Sequence, residues 1–209
     1  MVEIKEMSFE KKYSSALDGM KFIESYVLPF VKENLGDEKL TEFKEIWQKE
    51  SKPIPHDATY EEAYEIAYGN MSRNWQSAYY LVRNELGISG TGKLIEVAVE
   101  ANKRKTTGPA LFMLKLIKAI SPETAFRMFA KKMAYQLQAL SPLSVSELTG
   151  HKLVLNIPHC KCLDVQGCEE ICTVGCQKVY PLWLENQLSI KMTTNRKGNS
   201  CTVFLSPIS

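Results

Sequence analysis

The chain has 209 residues, 44% of them hydrophobic, which is enough to bury a sizeable core and too much for a disordered or fibrous protein. Its 26 Lys and Arg against 24 Asp and Glu leave a formal charge of +2, too weak a field to argue for nucleic acid or an anionic membrane as partner. Small molecules or proteins are the partners expected, and a homodimer is allowed.

The opening Met1-Val2-Glu3-Ile4-Lys5-Glu6 has neither a basic n-region nor an apolar h-region, and no later stretch reaches the roughly 18 uncharged residues of a membrane span. A cytoplasmic protein is expected, folded as one domain over 1–209, with a helical part at 1–141 and a cysteine-rich α/β part at 142–209.

Met20, Ile23, Val27, Phe30 and Val31 recur at helical spacing until Leu35-Gly36, and Leu40, Phe43, Ile46 and Trp47 mark a second segment. Pro53-Ile54-Pro55 reads as a loop. Thr59 with Glu62 has the form of a capping box, opening a helix that carries Ala63, Ile66, Ala67, Trp75, Ala78, Tyr79 and Val82 towards Leu86-Gly87. Three further helices are predicted over 94–103, 109–120 and 121–140. In the last, Ser121 can cap, Pro122 suits the first turn, and Phe126, Phe129, Ala130, Met133 and Leu137 share a face.

After Pro142 the pattern changes. Residues 152–157, 188–194 and 201–205 read as strands, the last two joined through Asn195-Arg196-Lys197-Gly198-Asn199 as a hairpin. The fold class expected is α+β, with the helical N-terminal two thirds packed on a small antiparallel C-terminal sheet.

Gly87-Ile88-Ser89-Gly90-Thr91-Gly92-Lys93 matches the first positions of a phosphate-binding loop. A helix precedes it, however, and Leu94 stands where a magnesium-binding hydroxyl is needed, so it reads as a helix-to-helix connection. The aromatic residues from Tyr60 to Tyr80, with Phe112, Phe126, Phe129 and Trp183, could line an apolar pocket. Their helical spacing favours core packing.

All six cysteines lie in the last fifty residues. Five follow the spacing C-x-C-x5-C-x3-C-x3-C: Cys160, Cys162, Cys168, Cys172 and Cys176. In a reducing compartment such thiols read as metal ligands before disulfides. On a continuous helix Cys168, Cys172 and Cys176 would fall within about 80° of one face, and Cys160 and Cys162 could close the site from a turn leaving a strand. Zinc and an iron–sulfur cluster are both allowed, since thiolates alone do not separate them. His159 could add a ligand or a base, and Asp164, Glu169 and Glu170 could serve a cysteine-lined pocket. Cys201, on a strand with Val203 and Leu205, is expected to be a core residue.

The run Glu170-Ile171-Cys172 and the stretch Leu188 to Leu205, with its Gly198-Asn199-Ser200-Cys201, resemble two groups over roughly the last 60 residues. One is the 4-vinyl-reductase-like small-molecule-binding domain. The other is the L-2-amino-thiazoline-4-carboxylic acid hydrolase-like family. The first resemblance implies zinc held partly through Glu-x2-Cys-x7-Cys. With Cys201 as the last cysteine, Thr193 and Ile190 occupy the other two positions, so any metal must use the upstream cysteines. The second implies ring opening of a cyclic C–N substrate. No catalytic residues can be assigned for it. Two functions are therefore expected to compete: a metal-binding protein that takes a small organic ligand, of sensory or carrier type, and a small-molecule hydrolase.

Overall fold

The computed structural model describes residues 4–208. It is an α+β protein with helices through the N-terminal two thirds and a four-stranded antiparallel sheet near the C-terminus. The chain groups into two compact units, each assembled from separate stretches: residues 8–98 with 162–172, and residues 4–7 with 99–161 and 173–208. They are called the helical unit and the sheet unit below.

The helical unit is built from α1 (Phe9–Glu50) and most of α2 (Tyr60–Lys105). Gly36 breaks α1 at φ 89°, ψ 174°, a left-handed, extended conformation that costs glycine little and a side-chain-bearing residue much more. Contacts with α2 show what the break does. Before Gly36, Phe9 meets Tyr64 and Tyr26 meets Trp75, so the two helices run the same way. After it, Lys39 pairs with Glu85 and the Trp47 indole N–H donates to the Asn74 carbonyl at 3.1 Å, so the direction has reversed. The predicted glycine stop is thus the turn of a helical hairpin. The predicted capping box also forms. The Thr59 amide donates to Glu62 Oε2 at 2.9 Å, and the Glu62 amide donates back to Thr59 Oγ1 at 3.3 Å. Val27, Val31, Phe43, Ala67, Ala78 and Val82 fill the core between these segments.

The second break, Gly87 (φ 65°, ψ −156°), lies within α2. From Ile88 to Lys93 the backbone is helical, and Thr91 Oγ1 donates to the Ile88 carbonyl at 2.8 Å. These residues form a helical turn, so the phosphate-loop match has no structural counterpart, as its helical surroundings implied.

The sheet unit contains α3 (Pro109–Ile120), α4 (Pro122–Leu137) and the sheet, in the order β1 (Ser144–Leu148), β2 (Leu153–Ile157), β4 (Ser200–Pro207), β3 (Ile190–Lys197). Ser121 caps α4, its hydroxyl oxygen accepting from the Thr124 amide at 3.4 Å. β1 is a strand that the sequence reading missed. The last predicted strand pair is displaced: the preceding helix, α6 (Tyr180–Leu188), ends on Ser189 at φ 54°, β3 starts at Ile190, and the hairpin tightens to Gly198-Asn199. Gly198 at φ 57° supplies the positive φ that such a two-residue turn needs at its first position.

Leu153, Leu155, Val203, Leu205, Ile190 and Met192 form the buried sheet layer, with α4 packed on β1 and α6 on β3. The Met7 amide donates to Gln138 Oε1 at 3.0 Å, and Gln138 Nε2 donates to the Lys5 carbonyl at 3.0 Å. This ties the incoming chain to the end of α4. The aromatic residues divide in a way their spacing did not predict. Phe126 and Trp183 are buried and Phe129 is half-buried, but Phe112 is 62% exposed.

Candidate functional site

The cysteine segment begins where β2 ends. The Cys160 amide donates to the Asn199 carbonyl at the hairpin tip at 2.8 Å, and the Lys161 amide donates to the buried Ser141 Oγ at 3.1 Å. A 3₁₀ turn, Lys161–Asp164, carries Cys162. Cys168 then immediately precedes α5 (Glu169–Val174), and its carbonyl accepts from the Cys172 amide at 2.9 Å.

Within the helical unit, a stripe of α2 grips this segment. Gln76, Tyr80 and Arg83 stand at i, i+4 and i+7, which places them on one side of a helix. Gln76 Nε2 donates to the Gln166 carbonyl at 2.6 Å, Tyr80 Oη donates to the Gly167 carbonyl at 3.0 Å, and Arg83 pairs with Glu170. Gly167 sits at φ 82°, a conformation that favours glycine, and a Cβ there would stand 2.5 Å from Gln76 Nε2 and push that side chain off the Gln166 carbonyl. Burial, and after it the Glu170 carboxylate, holds the Tyr80 phenol above its ordinary range and keeps it a donor near neutrality. The sequence reading missed this stripe, because α2 mixes polar and apolar residues along its whole length and nothing sets Gln76, Tyr80 and Arg83 apart.

The clamp places Cys162, Cys168 and Cys172 in the helical unit, while Cys160, Cys176 and Cys201 belong to the sheet unit. All six are thiols rather than disulfides. Cys168 and Cys172 are buried, one helical turn apart, and Cys162 Sγ lies 4.0 Å from the Cys168 carbonyl. Cys176 does not continue their register, because Gly175–Val179 is a π-helical turn whose i→i+5 bonds widen the spiral. The single face expected from the i, i+4, i+8 spacing assumed a regular helix. Cys201 is half-buried rather than in the core, since it lies near the hairpin end of β4 opposite the exposed Arg196.

Among the described residues, no three His, Cys, Asp or Glu side chains are grouped so that they could hold a metal ion. As placed, the described thiols thus do not converge as three ligands of one ion. His159, Asp164 and Glu169 are exposed, and Glu170 is engaged by Arg83. In the native protein a thiol reagent such as dithionitrobenzoate is expected to label the half-buried Cys160, Cys162, Cys176 and Cys201 first. Cys168 and Cys172 should react only as the chain unfolds. Equal rates at all six, read by peptide mass mapping, would contradict the burial pattern.

A second candidate lies wholly within the sheet unit. A cleft of about 180 Å³ is walled by Leu114, Ala125, Phe126, Phe129, Leu188 and Ile190. Lys115, Lys118, Gln187 and Ser189 also line it. Lys118 Nζ donates to the Leu188 carbonyl at 3.2 Å, an interaction that orients its ammonium at the end of α6. The described lining carries two ammonium groups and no carboxylate, imidazole or thiol. No family model matches this chain, and no curated protein matches it.

Proposed function

We propose that the protein binds a small organic ligand, in a sensory or carrier role, in the cleft between α3, α4 and the α6–β3 corner. The observation that carries this reading is a lining in which aromatic and aliphatic side chains are joined by two lysines, Lys115 and Lys118. Such a cleft suits a compact apolar body ending in a carboxylate or a similar anion, with apolar contact supplying affinity and the ammoniums fixing orientation. At about 180 Å³ it fits a ligand smaller than most drug-sized molecules.

Binding is favoured over hydrolysis because the lining offers no acid–base pair to protonate a leaving nitrogen and activate water. The measurement is displacement of anilinonaphthalene sulfonate, an apolar anion, by a series of small aryl carboxylates. Phe129→Ala removes part of the wall and is expected to weaken the probe about tenfold, equivalent to ~1.4 kcal/mol of lost apolar contact. Unchanged affinity in a folded Phe129→Ala protein counts against the cleft. Turnover of a thiazoline carboxylate by purified protein, abolished by chelation, would restore the hydrolase reading.

A metal on the cysteines is a second and separate proposal. It is favoured by the clamp, which holds Cys162, Cys168 and Cys172 in one short segment of the helical unit, and it requires those thiols to rearrange around the ion. Elemental analysis and the visible spectrum of anaerobically purified protein decide it. Near-stoichiometric zinc or iron that is lost in Cys168→Ser supports it, and less than about a tenth of an equivalent rejects it.

A further inference from the structure

We infer that the helical hairpin formed by α3 and α4, with the basic end of α2 before it, docks on an anionic lipid surface. The inference is independent of the ligand reading.

Two observations on the same stretch carry it. The first is exposed apolar surface. Phe112, Met113, Leu116 and Ile120 are all exposed, Ile120 at 88%. At 100° per residue these four side chains fall within an arc of about 100° on α3, a continuous apolar face where a helix on a protein surface normally presents polar groups. Met128 on α4 is exposed as well. Single exposed apolar residues are ordinary, but a row on one helical face marks an interaction surface.

The second observation is charge. Residues 103–132 contain eight Lys and Arg against one carboxylate, Glu123, which is itself paired with His151. The rest of the chain then holds 18 cations and 23 carboxylates, so the formal charge of +2 conceals a strongly basic hairpin on an acidic remainder. Arg104, Lys105, Lys115, Arg127, Lys131 and Lys132 are exposed.

An exposed apolar face within a dense cationic field matches the requirements of an interfacial helix. Its apolar side chains enter the boundary between headgroups and acyl chains, while Lys and Arg meet anionic headgroups. A second copy of the chain would oppose one basic hairpin to another, so repulsion disfavours that occupant. A nucleic acid would satisfy the cations and leave Phe112 and Ile120 in water. No described helix is long and apolar enough to cross a membrane, so the contact is peripheral.

The test is flotation of the full-length protein with vesicles of phosphatidylcholine alone and of an equimolar mixture with phosphatidylglycerol. The chosen side chains lie outside the cleft, so failure here is distinguishable from failure of the ligand reading. Binding is expected to the mixed vesicles only, and to weaken as salt is raised. Arg127→Gln with Lys131→Gln should reduce it roughly thirtyfold, since each cation near an anionic surface contributes about fivefold. Phe112→Ser with Ile120→Ser should reduce it about tenfold or more while circular dichroism stays unchanged. Absence of binding to mixed vesicles, or equal binding to neutral ones, overturns the inference. It is also overturned if vesicles fail while the serine variant abolishes self-association, or if an oligonucleotide binds in their place and depends only on the cations.

Discussion

Trp47→Ala is expected to destabilise the helical unit by about 3–5 kcal/mol, the range for removing a large aromatic side chain from a packed core. Trp47 is buried, its ring centroid lies 4.6 Å from that of Phe43, and its indole N–H satisfies the Asn74 carbonyl. Alanine would leave a cavity beside Phe43 and remove a hydrogen bond that joins the second limb of α1 to α2. Trp47→Phe fills much of the space but cannot donate, so about 1–2 kcal/mol should be lost there. Urea titration followed by circular dichroism gives both values. A loss below about 1 kcal/mol for Trp47→Ala would mean that the limb after Gly36 is not held as described.

The helical hairpin that Trp47 secures was legible in the sequence because each of its signals is local. Gly36, Thr59 with Glu62, Gly87 and Ser121 act through the conformation or hydrogen bonds of a few neighbouring residues, and all four mark boundaries or breaks in the structure. The buried face of α2 follows from its period as well, since Ala63, Ala67, Trp75, Ala78, Tyr79 and Val82 all reach the core, with Ile66 only half-buried. β1 was missed because Ser144-Val145-Ser146-Glu147-Leu148 offers one fully buried side chain and a bulge between Val145 and Glu147, which breaks the alternation a strand is read from.

The candidate sites were less legible for a different reason. Cysteine spacing indicates which thiols could meet on a regular helix. The π-helical turn at Gly175–Val179 and the grip of Gln76, Tyr80 and Arg83 on residues 166–170 are tertiary outcomes with no short-range signature. Exposure is similarly invisible to composition. Phe112 has the apolar character and helical spacing of Phe126, and only the neighbours of α3 and α4 separate an outward ring from a buried one. The basic hairpin could have been noticed by counting charge in windows. The near balance over the whole chain concealed it.

Leu155→Ala should be about as damaging in the sheet unit as Trp47→Ala is in the helical one, at about 3–5 kcal/mol. Leu155 is fully buried at the centre of β2 and faces Val145 on β1 and Val203 on β4, so its loss opens a cavity that both neighbouring strands line. Backbone pairing limits how far the strands can close on such a gap, which places the cost towards the upper part of the range for leucine. Leu155→Ile keeps the volume and should cost less than about 1.5 kcal/mol. The effect should extend to ligand binding. Ile190 and Pro207, paired across the β3–β4 edge, line the proposed cleft, and β4 is held on its other side by β2. Probe affinity in Leu155→Ala should therefore fall only in proportion to the unfolded fraction, and should recover when urea-free, cooled samples are fully folded. A folded Leu155→Ala protein that still fails to bind the probe would show that β2 shapes the cleft directly. Wild-type affinity together with a loss below about 1 kcal/mol would contradict the central position of Leu155 in the sheet core.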